Sequence, residues 1–174
     1  MKKVLLHICC GVCASWPVEK LRSDGYEVAG FFYDPNIQPE EEYIRRLTVA
    51  QKVSQLLNFD LIEGKYDPDA WFLKVKGLET EAEGGLRCTV CFQMRLEETA
   101  RMARKLNIPF FTSTLTVSPH KNAKTVEQEG GRAGGDTFLK YDFKKQDGFK
   151  KTHDFAKQNG LYCQNYCGCR YSIR

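Results

Sequence analysis

Short β-rich runs alternate with amphipathic helical patterns along the whole chain, and this alternation is the feature that most constrains the fold. We predict strands at 3–8, 27–34, 59–64, 108–116 and 137–143, and helices at 14–24, 40–57, 68–76, 88–106, 120–130 and 146–159. Strands that alternate with helices are typical of a parallel sheet with helices on both faces. Ligands bind such sheets beyond the carboxyl ends of the strands, near the point where strand order reverses. The glycine-rich stretches 81–88 and 129–137 are predicted to be mobile surface loops.

The length and composition predict one folded domain. The chain has 174 residues, of which 42% are hydrophobic and 12% aromatic, enough for one core but too few for two ordinary domains. The opening MKKVLL is broken by His7 before it reaches the length of a secretory apolar region. We therefore expect a cytoplasmic protein with no membrane partner, in a compartment where thiols stay reduced.

Charge is unevenly distributed along the chain. Residues 1–99 hold 12 Lys/Arg and 16 Asp/Glu, whereas residues 100–174 hold 14 and 6. A basic C-terminal half favours a polyanionic partner such as a nucleic acid. A solvated lysine-rich face explains the same asymmetry equally well.

Eight cysteines fall in three groups, which are CCGVC (9–13), RCTVC (87–91) and YCQNYCGC (162–169). Thiols that serve as small core residues would be scattered along strands and helices, so this clustering indicates sulfur ligands or thiol chemistry. Cys88 and Cys91 lie on one face at the start of a predicted helix, where the helix N-terminus favours thiolates. The CCGVC group also ends a strand and enters a helix, so the two groups can supply four sulfurs to one metal centre.

Two metal centres fit four cysteines. Zinc takes four thiolates in structural sites, and a [4Fe–4S] cluster takes four as well but adds redox chemistry. The spacing alone does not choose between them. The ligand-binding edge of the sheet and the four surplus cysteines favour an iron–sulfur cluster over zinc.

Cys167 and Cys169 flank a single glycine, so a bridge between them would close a small, easily reduced ring. The alternative is that both are metal ligands.

Six blocks resemble a known family in the right order: LHICCGVC, DPNIQPEEEYIRR, RCTVCFQMRLEETA, TSTLTVSPHKN, DFKK and YCQNYCGCRYS. Together they resemble the QueH type of epoxyqueuosine reductase. The resemblance implies reduction of epoxyqueuosine to queuosine at the wobble position of tRNA, the last step of queuosine biosynthesis. It implies a [4Fe–4S] cluster held by Cys9, Cys10, Cys88 and Cys91, and a redox-active disulfide between Cys167 and Cys169.

Some cysteines do not follow simply from that resemblance. Spacing alone would pair Cys10 with Cys13 as a C-x-x-C unit, whereas the resemblance leaves Cys13 as a nearby catalytic thiol or a ligand to a second single metal ion, such as iron. A cluster with four cysteine ligands has no open position, so the oxygen of the substrate would meet a second metal or the electrons would transfer without a bond to the cluster. Cys163 departs from the family pattern and receives no role. The electron donor is unidentified.

The fold expected from these observations is a single α/β domain over 1–174. It has a three-layer parallel β-sheet with helices on both faces, Rossmann-like and of the nucleotide alpha-hydrolase kind, with the C-x-C pair in the C-terminal segment 161–174.

Candidate proton donors and substrate contacts come from the strand ends. His7 precedes the first cysteine group and is a catalytic candidate, although a hydrogen-bonded core histidine is the stronger interpretation. His120 lies at a predicted helix start, with Ser118 as cap and Pro119 at the first helical position, whereas His153 is predicted to lie on the surface.

The loop after the second strand offers Asn36, Tyr43 and Arg45 or Arg46 for substrate binding, or simple turn and capping chemistry. Candidate phosphate contacts are Lys121, Lys124, Lys144, Lys145, Lys150 and Lys151, and Tyr162, Tyr166 and Tyr171 are candidates to stack an unpaired base or to pack in the core.

Two other function classes compete with the reductase. One is a zinc-stabilised RNA-binding module. The other is a sulfur-transferring tRNA-modifying enzyme, which would need ATP. The loop after the first strand reads CCGVCAS, and GxxxxGK[ST] occurs nowhere in the chain, which counts against nucleotide use.

Overall fold

A computed structural model describes residues 1–173 of the protein, which form one parallel sheet and six α-helices. The strands are β1 (Lys2–Ile8), β2 (Tyr26–Phe32), β3 (Leu61–Glu63) and β4 (Phe110–Ser113). The helices are α1 (Ser15–Ser23), α2 (Glu40–Leu57), α3 (Pro68–Lys74), α4 (Leu86–Lys105), α5 (Ala123–Gly134) and α6 (Gly148–Gln158). The predicted α/β class and the first four strands are confirmed.

Alternation along β1 divides the interior into two hydrophobic cores. Val4, Leu6 and Ile8 point to one face, where they pack with α1, α2 and α6. Leu5 points to the other face, where it meets α4 and α5. Successive side chains of a strand point to opposite faces, so a strand that is apolar throughout needs a helical layer on each side. The result is the predicted three-layer arrangement.

The strand order β3-β2-β1-β4 places the switch point beside β1. The chain leaves β1 towards β2 and β3 on one side and returns to β4 on the other. β1 and β4 run parallel and in register from Val4 beside Phe110 to His7 beside Ser113. The residues that follow these two strands, starting with Cys9 and Thr114, therefore emerge side by side at the edge where ligands of such sheets bind.

The predicted strand at 137–143 is wrong, because side chains of the β4 region bind its backbone in place of a ladder. One isolated bridge joins Phe138 to Phe111. After it, the Thr112 hydroxyl donates to the carbonyl oxygen of Leu139 and the Thr116 hydroxyl donates to that of Tyr141. These carbonyl groups are satisfied without a strand partner.

The predicted loop at 129–137 is also wrong, because α5 continues to Gly134 and a short 3₁₀ turn follows. Gly130 faces the ring of Phe138 and Gly134 faces that of Phe111, and a β-carbon at either position would overlap the ring. The glycines thus serve close packing rather than flexibility. The helix begins later than predicted, since Asn122 is the N-cap and accepts from the amides of Lys124 and Thr125.

Candidate metal centre and cavity

Cys9 is held at the switch point by the residue that follows β4. Its backbone amide donates to the Thr114 hydroxyl oxygen over 3.0 Å, and that hydroxyl donates to the Cys9 sulfur over 3.2 Å. The thiol is half-buried. The cysteine that directly follows the apolar strand β1 is therefore fixed between the ends of β1 and β4.

The sulfur atoms of Cys9, Cys10 and Cys13 lie within 4.8 Å of one another and form a group that can hold a metal ion. Cys10 and Cys13 are joined by a disulfide, the only one within residues 1–173. The turn depends on Gly11, where a β-carbon would overlap the backbone of α2 at Val49 and Ala50. Because metals bind thiolates, Cys10 and Cys13 become available as ligands only when this disulfide is reduced.

Cys88 and Cys91 occupy the first two turns of α4, as predicted. The Gly84 amide donates to the Cys88 sulfur over 3.3 Å, and the Arg95 guanidinium donates to the Cys91 sulfur over 3.7 Å. Burial nevertheless raises the pKa of Cys88, and it raises the pKa of Cys91 to about 11. The expectation that the helix N-terminus favours thiolates is therefore wrong for the metal-free protein, in which desolvation outweighs the helix end. A metal ion would replace both protons.

A buried ionic chain that sequence reasoning missed runs behind these cysteines. Arg95, which is 2% exposed, donates to the Asp34 carboxylate over 2.5 Å. Burial acts to raise the pKa of Asp34, but the Arg95 guanidinium prevails and holds it below its ordinary value. The only sequence signal was position, because Arg95 lies one helical turn after Cys91 and shares its face.

His7 is part of the buried ionic network of Arg95 and Asp34 and does not reach the surface of the site. It is fully buried, with Nδ1 hydrogen-bonded to the Ser113 hydroxyl at 2.9 Å and Nε2 to the Tyr33 carbonyl oxygen at 3.0 Å. Nε2 also lies 3.5 Å from the Asp34 carboxylate. Both ring nitrogens are hydrogen-bonded within the protein. The structure therefore favours the hydrogen-bonded core histidine over the catalytic role for His7.

A cavity of about 170 Å³ opens at this edge of the sheet. Its lining brings together Cys9, Cys13, Arg95 and Cys167, with His120 and Lys121 beside them. Five predicted site residues, from the first and third cysteine groups and the SPHKN block, therefore meet at one place. Cys163 also lines the cavity, which gives a location to the cysteine that had no predicted role.

Three predicted lysines have different surroundings. Burial opposes the charge of Lys121, but the nearby thiols of Cys167 and Cys9 raise its pKa above the ordinary value. Lys144 donates through Nζ to the carbonyl oxygens of Thr116 and Lys121, so it holds this loop together instead of facing a phosphate. Lys145 is exposed. Only Lys121 lies within the cavity itself.

The loop that was predicted to bind substrate instead clamps the C-terminal segment. Arg46 is 1% exposed and donates to the carbonyl oxygens of Cys167 (2.6 Å) and Tyr166 (3.0 Å), while its Nε donates to Glu42 over 2.7 Å. The Gln38 amide donates to the Gly168 carbonyl oxygen over 2.8 Å. The predicted substrate role of Arg46 is not supported, because the side chain is buried and its hydrogen bonds go to Glu42 and to two backbone oxygens.

Asn36 and Tyr43, the other predicted substrate contacts of this block, are buried as well. Asn36 is 1% exposed and its side-chain nitrogen lies close beside Gly168, where a β-carbon would be 3.3 Å away. Tyr43 is 4% exposed, and its ring stacks on Tyr66 with centroids 3.9 Å apart. Neither residue is among those that line the cavity, so Asn36 supports the segment that carries Cys167 and Tyr43 packs in the core.

Cys167 and Cys169 are not bonded to each other in this structure, and the implied redox-active disulfide between them stays a prediction. Cys167 is half-buried and lines the cavity, whereas Cys169 is 6% exposed and packs with Trp71, Val75 and Cys91. Gly168 between them has φ +144°, a conformation that other residues rarely adopt. The backbone thus directs the two thiols into different surroundings while it keeps them two residues apart.

The predicted stacking tyrosines are engaged in packing. The Tyr162 hydroxyl donates to the Glu42 carboxylate and the Tyr166 hydroxyl donates to the Gln38 carbonyl oxygen. Tyr171 lies beside Trp71 in the Cys169 surroundings. These contacts favour the alternative of aromatic packing for Tyr162 and Tyr171, whereas Tyr166 also lines the cavity, where stacking of a base stays a prediction.

Comparison with known proteins adds sequence evidence to this geometry. A family described as "Epoxyqueuosine reductase QueH" matches residues 4–174. A protein of that name from Acinetobacter baylyi is 37% identical over 176 residues, covering 99% of this chain and 81% of the relative. One from Streptococcus pyogenes serotype M1 is 36% identical, covering 98% and 70%, and one from Thermotoga maritima is 34% identical, covering 99% and 91%.

A solved structure confirms the fold alone. A predicted subunit of tRNA methyltransferase from Methanocaldococcus jannaschii matches with a TM-score of 0.59 over 90% of this chain and 75% of the other, at 12% identity. This likeness agrees with the predicted Rossmann-like architecture. None of the helices within residues 1–173 combines the length and the apolar character needed to cross a bilayer.

Proposed function

The chain belongs to the epoxyqueuosine reductase QueH family, and we propose that it reduces epoxyqueuosine in tRNA to queuosine at the cavity between the ends of β1 and β4. The overall reaction breaks both carbon–oxygen bonds of the epoxide, forms a carbon–carbon double bond and releases the oxygen as water. It consumes two electrons and two protons, and an external reductant must supply the electrons. The observation that carries the proposal is that cysteines of two groups line one cavity together with Arg95, on whose charge the thiol of Cys91 from the remaining group also acts, in a member of this family.

The donor set fits an iron–sulfur cofactor. Cys9 and Cys88 pack against the same hydrophobic core, and the thiols of Cys9, Cys91 and Cys167 all act on the charge of Arg95. A set of thiols with no carboxylate among the grouped ligands is the chemistry that iron–sulfur clusters require. A [4Fe–4S] cluster held by Cys9, Cys10, Cys88 and Cys91 would supply electrons one at a time, and Cys13 remains for a second single metal ion.

The polar residues of the cavity orient the substrate and provide protons. Lys121 carries a cation among the thiols, so it is suited to bind the oxygen that leaves the epoxide. His120 is exposed at the same cavity and can deliver a proton from solvent. Arg95 contributes a second fixed positive charge in the lining, at a site where charge develops as the carbon–oxygen bonds break.

Cys167 and Cys169 form the redox-active pair in this proposal. Oxidation of two thiols to one disulfide releases two electrons and two protons, which are the quantities that reduction of the epoxide consumes. The disulfide would then be reduced by the external reductant before the next cycle. The clamp of Arg46 and Gln38 on the backbone of this segment keeps Cys167 at the cavity in the reduced state.

The test is purification without oxygen, followed by a turnover assay. A protein that holds the cluster is brown, with broad absorption near ~400 nm, and with a low-potential reductant it converts epoxyqueuosine-containing tRNA to queuosine-containing tRNA. A colourless preparation with one zinc ion per chain and no turnover would favour the zinc-stabilised RNA-binding module instead. Iron content and nucleoside analysis of the digested tRNA decide between the two.

A further inference from the structure

Two aromatic rings with exposed faces stand at the mouth of the cavity. Phe149 is 42% exposed and is the only aromatic residue among the exposed large hydrophobic side chains of residues 1–173. His153 lies one turn further along α6 and is also exposed. Their ring centroids are 4.3 Å apart with planes at 61°. Both residues line the cavity that contains Cys9 and Cys167.

The packing of α6 does not require either ring. The buried residues of the helix are Gly148, Thr152 and Ala156, which lie on its inward face. Phe149 and His153 share a different row, four residues apart. A single exposed apolar residue needs no special explanation, but an exposed aromatic ring held edge-to-face by a second ring on the rim of a reactive cavity offers a surface on which a base can stack.

The charge around this pair identifies the kind of ligand. Lys145, Lys150 and Lys151 are exposed on α6 or directly before it, and Lys121 lies in the same cavity. Lys150 pairs with Asp154 at 2.5 Å and also has Asp147 nearby, and Lys151 lies over the ring of Trp16. An aromatic surface surrounded by cations matches a stacked base with its phosphates, whereas an apolar peptide would gain nothing from the lysines.

We propose that Phe149 and His153 form a stacking platform for an unpaired base of the tRNA anticodon loop, adjacent to the modified nucleotide that enters the cavity. The inference rests on the proposed function and names the surface that holds its substrate. Single-stranded loops are recognised by bases that splay out and stack on aromatic side chains. The lysines of α6 would hold the neighbouring phosphates, and the platform would set the depth at which the modified base reaches Cys167.

The experiment compares binding of an anticodon stem–loop RNA carrying epoxyqueuosine to the cofactor-loaded wild type and to three variants. Phe149→Ala should weaken binding by about 5- to 150-fold, because stacking contributes about 1–3 kcal/mol per base. Phe149→Trp should bind within about 3-fold of the wild type, and Phe149→Leu should resemble Phe149→Ala. Leu106→Ala is the matched control, since Leu106 is 40% exposed at the end of α4 and does not line the cavity.

A series of RNAs that each lack one base tests whether Phe149 binds the RNA by stacking on that base. The bases next to epoxyqueuosine are replaced one at a time by abasic nucleotides, and one of these RNAs should bind the wild type and Phe149→Ala equally well. Loss of binding in Phe149→Ala that persists with every abasic RNA would overturn the platform. So would wild-type affinity in Phe149→Ala or in Phe149→Leu.

If the proposed reductase function is wrong, the same experiment gives a result that differs from the one expected when only the stacking platform is wrong. A wild type that holds no cluster and does not convert the stem–loop refutes the proposed reductase and, with it, this use of the surface. A wild type that converts the RNA while Phe149→Ala leaves both KM and affinity unchanged refutes only the platform. The expected kinetic result is a raised KM with little change in kcat, because the base contact is the same before and during the reaction.

Discussion

The Arg46 guanidinium donates to the carbonyl oxygen of Cys167 over 2.6 Å and so fixes a cavity thiol from a helix 121 residues away in the chain. The same side chain is buried against Glu42. A block that resembles a substrate loop in sequence is therefore a support for the C-terminal segment. This relationship makes the reactivity of Cys167 depend on a residue that does not touch the cavity.

We expect Arg46→Met to destabilise the protein by about 3–5 kcal/mol, because the buried Glu42 loses its partner at 2.7 Å and keeps only the exposed Arg45 at 3.4 Å. The Cys167 thiol should also react faster with iodoacetamide, since its backbone is released. Urea unfolding and mass-spectrometric alkylation rates measure the two effects. Arg45→Met is the control, because Arg45 is 57% exposed on the same helix; an equal loss in that variant would contradict the clamp.

Gly168→Ala tests the backbone of the C-x-C pair. Its φ of +144° is unfavourable for alanine, and the added β-carbon would lie 3.1 Å from both Arg46 and Ile37. A loss of about 1–3 kcal/mol in the free energy of unfolding is expected. Gly131→Ala serves as the comparison, because it is helical with open space around the added carbon, and it should be neutral or stabilising by up to about 1 kcal/mol.

The buried pair of Arg95 and Asp34 should dominate the response to acid. The pKa of Asp34 is lowered in the folded state, so its contribution to stability is complete above its unfolded value of about 4 and disappears as pH falls below it. Asp34→Asn should therefore flatten the loss of stability below about pH 4 and should destabilise at neutral pH. Urea midpoints measured from pH 2 to 7 check this, and parallel curves for the two proteins would refute it.

Cys91 should make the metal-free, reduced protein sensitive to alkali. Its pKa rises from about 8.5 in the unfolded chain to about 11 when folded, so the unfolded state loses its proton first and stability falls as pH rises through that interval. The loss attributable to this thiol is about 3 kcal/mol. Cys91→Ala should be less stable at pH 7 but lose less between pH 8 and 11, as followed by circular dichroism.

Single serine substitutions separate the roles of the cysteines. Cys88→Ser should remove most of the iron and all reduction of epoxyqueuosine-containing tRNA. Cys169→Ser should retain the colour but lose multiple turnover, because the redox pair is broken. Cys163→Ser is the control for a cavity thiol with no assigned ligand or redox role. Iron analysis and nucleoside chromatography measure the outcomes, and full turnover in Cys169→Ser would refute the redox role of that pair.

Local patterns in the sequence were enough to predict most elements and the cysteine groups. The alternation of strands and helices determined the layers, since each apolar run must be covered on both faces. The helix α2 was predicted with its observed ends, because Pro39 precedes it and a row of glutamates forms its first turn. The family blocks likewise determined the identity, because they depend on residue order and not on contacts.

Tertiary structure alone decided which of these residues face the cavity. Arg46 lies in helix α2, Asn36 in a loop and His7 near the end of a strand, and nothing local distinguishes a substrate contact from a buried support. The partners that decide this, such as the Cys167 carbonyl oxygen for Arg46 and the Ser113 hydroxyl for His7, lie more than 100 residues away. Long-range packing also placed Phe149 on the cavity rim and left the three C-terminal tyrosines half-buried, because burial is a property of the assembled layers and not of any segment.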